Sequence, residues 1–355
     1  MDNRRLKVVV LIVCHNHRDD LGQCLTSVTE SNDGPIDRRI IVVDNASSDG
    51  SADLVAENYG DVELIRSESN LGFSGGNNLG WLHVQNHHMG TDYLALVNPD
   101  AIVESGWIAP LAKHLDQHSE VGSVQPKLML YPQINHFNSA GNRSHYLGFG
   151  FVTQFGQVDR GQFDVAKSID FASGAAMMLR TDLLRKTSLF DEKMFMYLED
   201  AELSWRLRSM GHDTVFVPDS VVYHKHQPEK TLGYYYHLER NRWWLLLKYY
   251  RIATLLVLAP ALLVMEIGQL AFALRNRKIL DKLRSYGFIL HPTNLIRLKA
   301  ARRRIQQGRN VGDRSLMTRF SGQIESPISW GWVFERVVNP LLGAYWSVVR
   351  RLIFW

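Results

Sequence analysis

Over the first 130 residues, short apolar runs alternate with segments of helical periodicity. Val8 to Val13 is an unbroken apolar run, followed by Leu21, Leu25 and Val28 at helical spacing. Ile40 to Val43 precedes a helical stretch from Ala52 to Asn58. Val62 to Ile65 precedes another from Asn77 to His88, and Tyr93 to Val97 adds a further strand. Unbroken Val/Ile/Leu runs suit strands buried on both faces, and their alternation with helices predicts a doubly wound α/β sheet. The basic N-terminus ahead of Val8 to Cys14 imitates a leader peptide, but the run is short. His15-Asn16-His17-Arg18 stands where a small-residue cleavage site would be, so the run reads as the first buried strand.

Open α/β sheets bind ligands at the carboxyl ends of their strands, which makes the residues after each strand the candidates for chemistry. These are His15-Asn16-His17, then Asp44-Asn45-Ala46-Ser47-Ser48-Asp49-Gly50-Ser51, then the expected loop Asn70-Leu71-Gly72-Phe73-Ser74-Gly75-Gly76-Asn77-Asn78, then Asn98-Pro99-Asp100. Four strand ends thus deliver polar or acidic residues to one edge, where a nucleotide would lie. A dinucleotide-binding domain is excluded, because the first turn lacks its glycine triplet. Asp100 can hold a divalent cation that bridges phosphates, or serve as ordinary Asn-Pro-Asp turn chemistry. Asp44 can accept the imide N–H of a pyrimidine base, or cap its loop.

From Tyr131 to Lys167 the periodicity fails, and five glycines interleaved with Phe and Tyr predict a long, partly mobile lid or acceptor loop. The small residues Ala172-Ser173-Gly174-Ala175-Ala176 then permit a close approach of backbone to ligand. Phe195-Met196-Tyr197-Leu198-Glu199-Asp200 leads into an amphipathic helix carrying Leu203, Leu207 and Met210. Acidic residues at a helix start cap free amides and are held ionised there, so Asp200 is either a cap or a working carboxylate. Val215 to Val217 and Val221 to Tyr223 read as two strands, with His224 and His226 on one face. The pairs His83/His87 and His114/His118 have a chelating spacing but no acidic or cysteine partner in the pattern, and are expected to face solvent.

The two cysteines, Cys14 and Cys24, show no metal-type pairing and fit a reducing compartment. The formal net charge is only +4, yet the basic residues crowd the C-terminal third. Ile252 to Leu274 is apolar and long enough to span a bilayer. Pro260, Glu266 and Gln269 weaken that reading and favour a helix lying in the interface. Arg275 to Arg314, including Arg302-Arg303-Arg304, is rich in base, and Trp330, Trp332, Trp346 and Trp355 accompany Arg350-Arg351. Basic charge with tryptophan suits an anionic membrane surface. No nucleic-acid module is recognisable, and no nucleic-acid partner is expected.

The ordered set of Ile41 to Ser51, Asn70 to Asn78, Leu96 to Asp100 and Tyr197 to Leu207 resembles glycosyltransferase family two, and within it the bacterial rhamnosyltransferase-like branch. The resemblance spans roughly residues 6 to 250. It implies a GT-A fold, a nucleotide-diphosphate sugar donor, a divalent cation (Mg2+ or Mn2+) and inversion at the anomeric carbon. It assigns Asp200 as catalytic base with Glu199 beside it, Asp44 to the donor base, and Asp100 to the cation, with Asn98 in place of the first acid of an Asp-X-Asp element. His224 matches a metal ligand of some relatives. His15, Asn16, Asn45, Asn70, Gly72, Asn77, Asn98 and Gly174 complete the expected nucleotide-sugar site. The expected organisation is a GT-A domain over 1–240 and a helical, membrane-associated region over 241–355. The expected reaction carries L-rhamnose from dTDP-rhamnose to a polyprenyl-diphosphate-linked glycan at the cytoplasmic face of a bacterial inner membrane. A UDP-hexose or UDP-galactofuranose donor is the alternative. A sugar nucleotidyltransferase would need a glycine-rich basic phosphate loop that is missing here, and Asp100 with Asp200 argues against a non-catalytic glycan-binding protein.

Overall fold

The alternation seen along the sequence reappears as a sheet with helices on its faces. The computed structural model describes residues 4–226, 232–325 and 331–355, and Trp330 lies outside the described residues. One unit comprises Met1–Asn142, Val152–Leu207 and His212–His226, and a second comprises Arg143–Phe151, Arg208–Gly211 and Gln227–Trp355.

The first unit runs β1 (Lys7–Cys14), α1 (Arg18–Glu30), β2 (Asp37–Asp44), α2 (Ser51–Asn58), β3 (Glu63–Arg66), α3 (Gly72–His87), β4 (Tyr93–Val97), β5 (Ala101–Val103), α4 (Ile108–Gln117), β6 (Val121–Leu130) and β7 (Phe137–Ser139). After a short hairpin of β8 (Asn142–Ser144) and β9 (Gly150–Val152), most of which belongs to the second unit, come β10 (Lys167–Ile169), β11 (Ala176–Arg180), α5 (Thr181–Thr187), α6 (Glu199–Ser209) and β12 (Asp213–His224). The sheet order is β10-β12-β6-β11-β4-β1-β2-β3, with β5 on β12 and β7 on β6. β3, β2, β1 and β4 are mutually parallel, while β11 enters antiparallel between β4 and β6, giving a mixed sheet. Val8, Val10 and Ile12 share one buried cluster with Leu21, Leu25 and Val28 of α1 and Ile108, Leu111 and Leu115 of α4. Each such side chain contributes roughly 1.5–3 kcal/mol on burial.

Three expectations change. The loop expected over Asn70 to Asn78 is mostly helix, since α3 begins at Gly72. Glycine is a poor helix former, but a β-carbon at Gly76 would collide with Val13 and one at Gly80 with Leu11. Glycines four apart give α3 a bare stripe that lets it lie close on β1. The stretch expected as a mobile loop carries β7 and the hairpin, and Phe137, Asn138, Ser139 and Ala140 are buried. The two strands expected near Val215 and Val221 are one strand, β12, whose register against β6 shifts between Val217 and Val221. Pro218 sits in that irregularity, where its missing N–H does not interrupt a ladder.

The second unit holds α7 (Tyr235–Tyr249), α8 (Ile252–Arg275), α9 (Ile279–Leu290), α10 (Pro292–Gly308), α11 (Asp313–Leu316) and α12 (Asn339–Val349). α8 continues through Pro260 and, among the described residues, is the helix long and apolar enough to cross a membrane. Its polar residues are engaged within the unit. Glu266 pairs with Arg242 of α7 and with Lys282 of α9 (2.8 Å), and the Tyr235 hydroxyl lies 3.0 Å from Gln269 Oε1. The tryptophans expected at a membrane surface divide: Trp332 is exposed, but Trp346 is buried and stacked on Tyr146 at 4.7 Å. Arg302 donates to the Leu247 and Tyr250 carbonyls, while Arg303 and Arg304 are exposed.

Candidate active site

The carboxyl ends of β1 and β2 stand side by side, with Cys14 opposite Asp44. Asn16 leaves β1 with φ 56°; its Oδ1 accepts the Ser48 N–H at 2.8 Å, and its own N–H donates to Ser47 Oγ at 3.0 Å. His15 Nδ1 lies 2.9 Å from the Asn45 carbonyl. Asn45 accepts the Leu71 N–H at 2.9 Å and donates to the Gly72 carbonyl at 3.0 Å and to Asn70 Oδ1 at 3.1 Å. Asn70 Oδ1 also accepts the Gly72 N–H at 2.8 Å. These asparagines build the rim by tying β2 to the start of α3. Asn77, expected to face the donor, lies inside α3, buried, with Nδ2 on the Phe73 carbonyl at 2.9 Å.

Asp44 differs from its neighbours. Its Oδ2 accepts the Ser47 N–H at 3.3 Å, and its buried Oδ1 has no hydrogen-bond partner among the described residues. Buried polar atoms are nearly always bonded, so an open acceptor at a strand end marks a place for a ligand donor.

Past β4, Asp100 is largely enclosed, and its buried Oδ1 faces a single ring. His224, at the end of β12, places Nε2 3.3 Å from that oxygen. His224 Nδ1 lies 3.1 Å from Asn138 Oδ1. When protonated, the ring pairs with the Asp100 carboxylate through Nε2–H; when neutral with its N–H at Nδ1 on the Asn138 amide, it offers the Nε2 lone pair to a cation, the outer-sphere arrangement that orients a metal-binding imidazole. Burial pushes the Asp100 carboxyl up, but the neighbouring His224 outweighs it and brings it below its ordinary value. A buried carboxylate oxygen beside an oriented imidazole fits a divalent cation of the Mn2+ or Mg2+ kind. His226 lies close behind, its ring 5.5 Å from that of His224.

α6 begins beside this edge. Asp200 Oδ2 accepts the Gly174 N–H at 3.1 Å, and Oδ1 accepts the Ala201 N–H at 2.7 Å. The carbonyl of the next residue, Ala175, accepts the Asn98 N–H at 2.9 Å, so a single turn of chain joins Asp200 to the Asp100 segment. Gln125 Oε1, fully buried on β6, holds this turn through the Ser173 N–H at 2.8 Å. The approach to α6 is strained. Phe195 has φ 59° and ψ −63°, and the Met196 N–H reaches back to the Met194 carbonyl at 2.6 Å, which makes the rare three-residue turn; Tyr197 and Leu198 also have positive φ. Such residues cost of order 1–3 kcal/mol each and persist where neighbours hold them. One neighbour is α3, whose Ser74 N–H donates to the Phe195 carbonyl at 2.9 Å.

A helix start by itself keeps a carboxylate ionised and weakly basic. Burial instead pushes the Asp200 carboxyl up to about 6, against the pull of the Gly174 and Ala201 N–H groups. Glu199 is driven well above its ordinary value by burial and by Asp200 beside it. At neutral pH Asp200 is ionised yet more basic than a free carboxylate, as general-base catalysis prefers.

Asp44, Asp100, His224, Asp200, Glu199 and Gly174 thus gather at one sheet edge, with His15, Asn16, Asn45, Asn70, Gly72 and Asn98 forming its frame. Sequence reasoning missed Asn138 and Gln125. Nothing periodic or motif-like marks either, and Asn138 lies in the stretch expected to be mobile.

A model of Glycosyl transferase family 2 matches residues 9–187, half of the chain. The N-acetylglucosaminyl-diphospho-decaprenol L-rhamnosyltransferase of Mycobacterium tuberculosis (strain CDC 1551 / Oshkosh) is 25% identical over 232 residues, 61% of this chain and 75% of that protein. Rhamnosyltransferase WbbL of Escherichia coli (strain K12) is 24% identical over 226 residues, 59% of this chain and 80% of that protein. Among solved structures, GalNAc-T7 with UDP, GalNAc and Mn2+ superposes with a TM-score of 0.58 at 16% identity, over 71% of this chain and 49% of that one. The mannosyltransferase PcManGT from Pyrobaculum calidifontis, in complex with GDP-Man and Mn2+, superposes with a TM-score of 0.52 at 16% identity, over 86% of this chain and 88% of that one. These likenesses establish a GT-A-like fold.

Proposed function

The chain belongs to Glycosyl transferase family 2, as a nucleotide-sugar glycosyltransferase of the rhamnosyltransferase-like branch, and from that premise we propose that it moves L-rhamnose from dTDP-rhamnose to a polyprenyl-diphosphate-linked glycan, with inversion. The observation that carries the reading is the Asp200 carboxylate, raised to about 6 and hydrogen-bonded to the Gly174 turn, at the edge that also holds Asp44 and Asp100. Asp200 takes the proton of the acceptor hydroxyl as its oxygen bonds to the anomeric carbon; the bond to the diphosphate oxygen breaks on the opposite face, and no covalent enzyme intermediate forms. Asp44 Oδ1 accepts the imide N–H of thymine. Asp100 and His224 hold the divalent cation, which when bound supplies neutralising charge to the departing diphosphate. An imidazole beside one carboxylate suits Mn2+ better than Mg2+. The Asn45, Asn70 and Gly72 bonds keep the donor rim in place.

The acceptor side rests on the helical unit. Ile252, Leu256, Leu263, Val264, Ile267 and Leu274 leave an apolar face of α8 exposed, while Glu266 and Gln269 hold the other face inside the unit. A helix fixed in this way docks by one face rather than spanning, and exposed Arg303, Arg304, Arg350 and Arg351 suit an anionic leaflet. We assign the protein as a peripheral or monotopic enzyme on the cytoplasmic face of the inner membrane, with 1–240 as catalytic domain and 241–355 as membrane-associated region.

A panel of dTDP-, UDP- and GDP-sugars with Mn2+ or Mg2+, read by thermal stabilisation, tests the donor. Selective stabilisation by dTDP-rhamnose with Mn2+ is expected, and a UDP-hexose preference overturns it. Flotation on anionic vesicles should be lost in a Leu256→Asp/Leu263→Asp variant, and undiminished flotation removes the membrane assignment.

A further inference from the structure

At the other end of the strands in the α/β unit, three side chains converge that sugar transfer does not use. Glu63 opens β3, which is the last strand of the sheet. His83 lies in α3, and His88 is the residue that ends it. His83 Nε2 lies 2.9 Å from Glu63 Oε2, and His88 Nε2 lies 3.0 Å from Glu63 Oε1 and 3.1 Å from Oε2. One ligand atom from each residue falls within 4.8 Å of the others.

Residues five apart on a continuous helix point about 140° away from each other. His88 escapes this because the chain leaves the helix there, with φ −131° and ψ 48°, while its N–H still reaches the Val84 carbonyl. Thr91 fixes the departure by donating to the His88 carbonyl from its N–H (3.0 Å) and its Oγ1 (2.7 Å). The imidazole is thereby turned back toward His83. His87 brings a third ring, 4.4 Å from that of His83. The expectation that His83 faces solvent without an acidic partner is corrected: the partner comes from a strand some twenty residues earlier, which helical spacing does not reveal.

We propose that Glu63, His83 and His88 form a binding site for a Zn2+-class dication, and that the ion clips the edge strand β3 to α3. Two imidazoles and one carboxylate form a zinc donor set. A tetrahedron with ligand bonds of about 2.0–2.2 Å spaces its donor atoms about 3.3 Å apart, so the three groups need only small movements to close on an ion. When the proton of each imidazole sits on Nδ1, both Nε2 lone pairs face Glu63. The three side chains are 27%, 19% and 35% exposed, in the order His83, His88 and Glu63, which leaves an entry path. β3 has four residues and one neighbouring strand, and an ion there stabilises the folded chain by mass action.

The full-length protein is titrated with Zn2+ by calorimetry and followed by thermal unfolding. Co2+ serves as a spectroscopic stand-in through its visible d–d absorption. His83→Ala/His88→Ala and Glu63→Gln are compared with wild type, His118→Gln controls for a surface histidine, and His224→Gln subtracts binding at the candidate cation site. Wild type should bind one more Zn2+ equivalent than the double variant, and Glu63→Gln should bind it at least about tenfold more weakly. The Zn2+-induced rise in Tm should shrink in the double variant, survive in His118→Gln, and keep its Glu63-dependent part in His224→Gln, and Mg2+ should not reproduce that part. Unchanged stoichiometry, Co2+ spectrum and Tm response in Glu63→Gln, which keeps both imidazoles and the shape of the carboxyl group, would overturn the proposal even if the double variant fails to fold.

Discussion

Buried carboxylates occur in both units, and their surroundings drive them in opposite directions. In the α/β unit, Glu199 and Asp200 sit side by side at the start of α6, where Asp200 accepts backbone N–H groups, and burial raises both. In the helical unit, Glu266 is also penalised by burial, but Arg242 and Lys282 overcome this and hold it down at about 2. Arg242 and Lys282 are themselves almost completely buried and share Glu239 as a second anion. The first arrangement keeps a basic oxygen ready for a proton from elsewhere, whereas the second saturates every charge within the protein. A buried acid with no cationic side chain against it keeps a basic oxygen for chemistry, and one saturated by buried cations serves architecture.

The comparison breaks most decisively at Asp200. Asp200→Asn keeps the shape but replaces one carboxylate oxygen by an NH2 group, which removes the basic oxygen and one of the two N–H contacts. Transfer should fall by about 10²–10⁴-fold, the usual worth of a positioned base, with donor affinity nearly unchanged. Rates at saturating donor and acceptor, with donor binding by calorimetry, separate the two effects. A variant that retains turnover would return Asp200 to the role of a helix cap.

Arg242→Ala probes the other side. Removing one partner from a buried ion group leaves uncompensated charge and costs about 3–5 kcal/mol, so denaturant unfolding should show a loss of that order. A loss below about 1 kcal/mol would class the network with exposed surface pairs. α8 would then owe its position to Leu258, Leu262 and Met265 rather than to Glu266.

The contrast also shows what the sequence exposes and what it hides. β1 to β4 were legible because local apolar runs and helical spacing alone decide them. Asp44, Asp100 and Asp200 were legible because each follows a strand or opens a helix within a recognisable motif. Asn138 was hidden, since its bond to His224 spans 86 residues and its own neighbourhood has no period. α3 was half hidden: its glycines read as loop until β1 supplied the surface they approach. The basicity of Asp200 was misread because the helix start is visible in sequence, whereas the burial that outweighs it comes from the fold. Of the basic and aromatic residues at the C-terminus, composition could not separate Arg302 and Trp346, which are used inside the unit, from the exposed Arg303, Arg304 and Trp332.

Proton linkage gives the smallest effect and the sharpest sign test. Asp200 titrates at about 6 in the folded chain against an ordinary 3.8. The folded state therefore holds an extra proton between those values, so this contribution to stability is full below 3.8 and is lost as pH rises through about 6. Glu266 titrates at about 2 against an ordinary 4.5, so its contribution is present above 4.5 and is lost as pH falls toward 2. Stability measured against pH should accordingly lose its downward slope between about 4 and 6 in Asp200→Asn, and lose its upward slope below about 4.5 in Glu266→Gln. In the wild type, transfer should rise about tenfold per pH unit up to about 6 and then level, a limb that belongs to the Glu199 and Asp200 pair together. Slopes of the same sign in the two variants, or a rate limb centred near about 4, the ordinary carboxylate range, would show that the two carboxylate environments do not differ in the way their neighbours require.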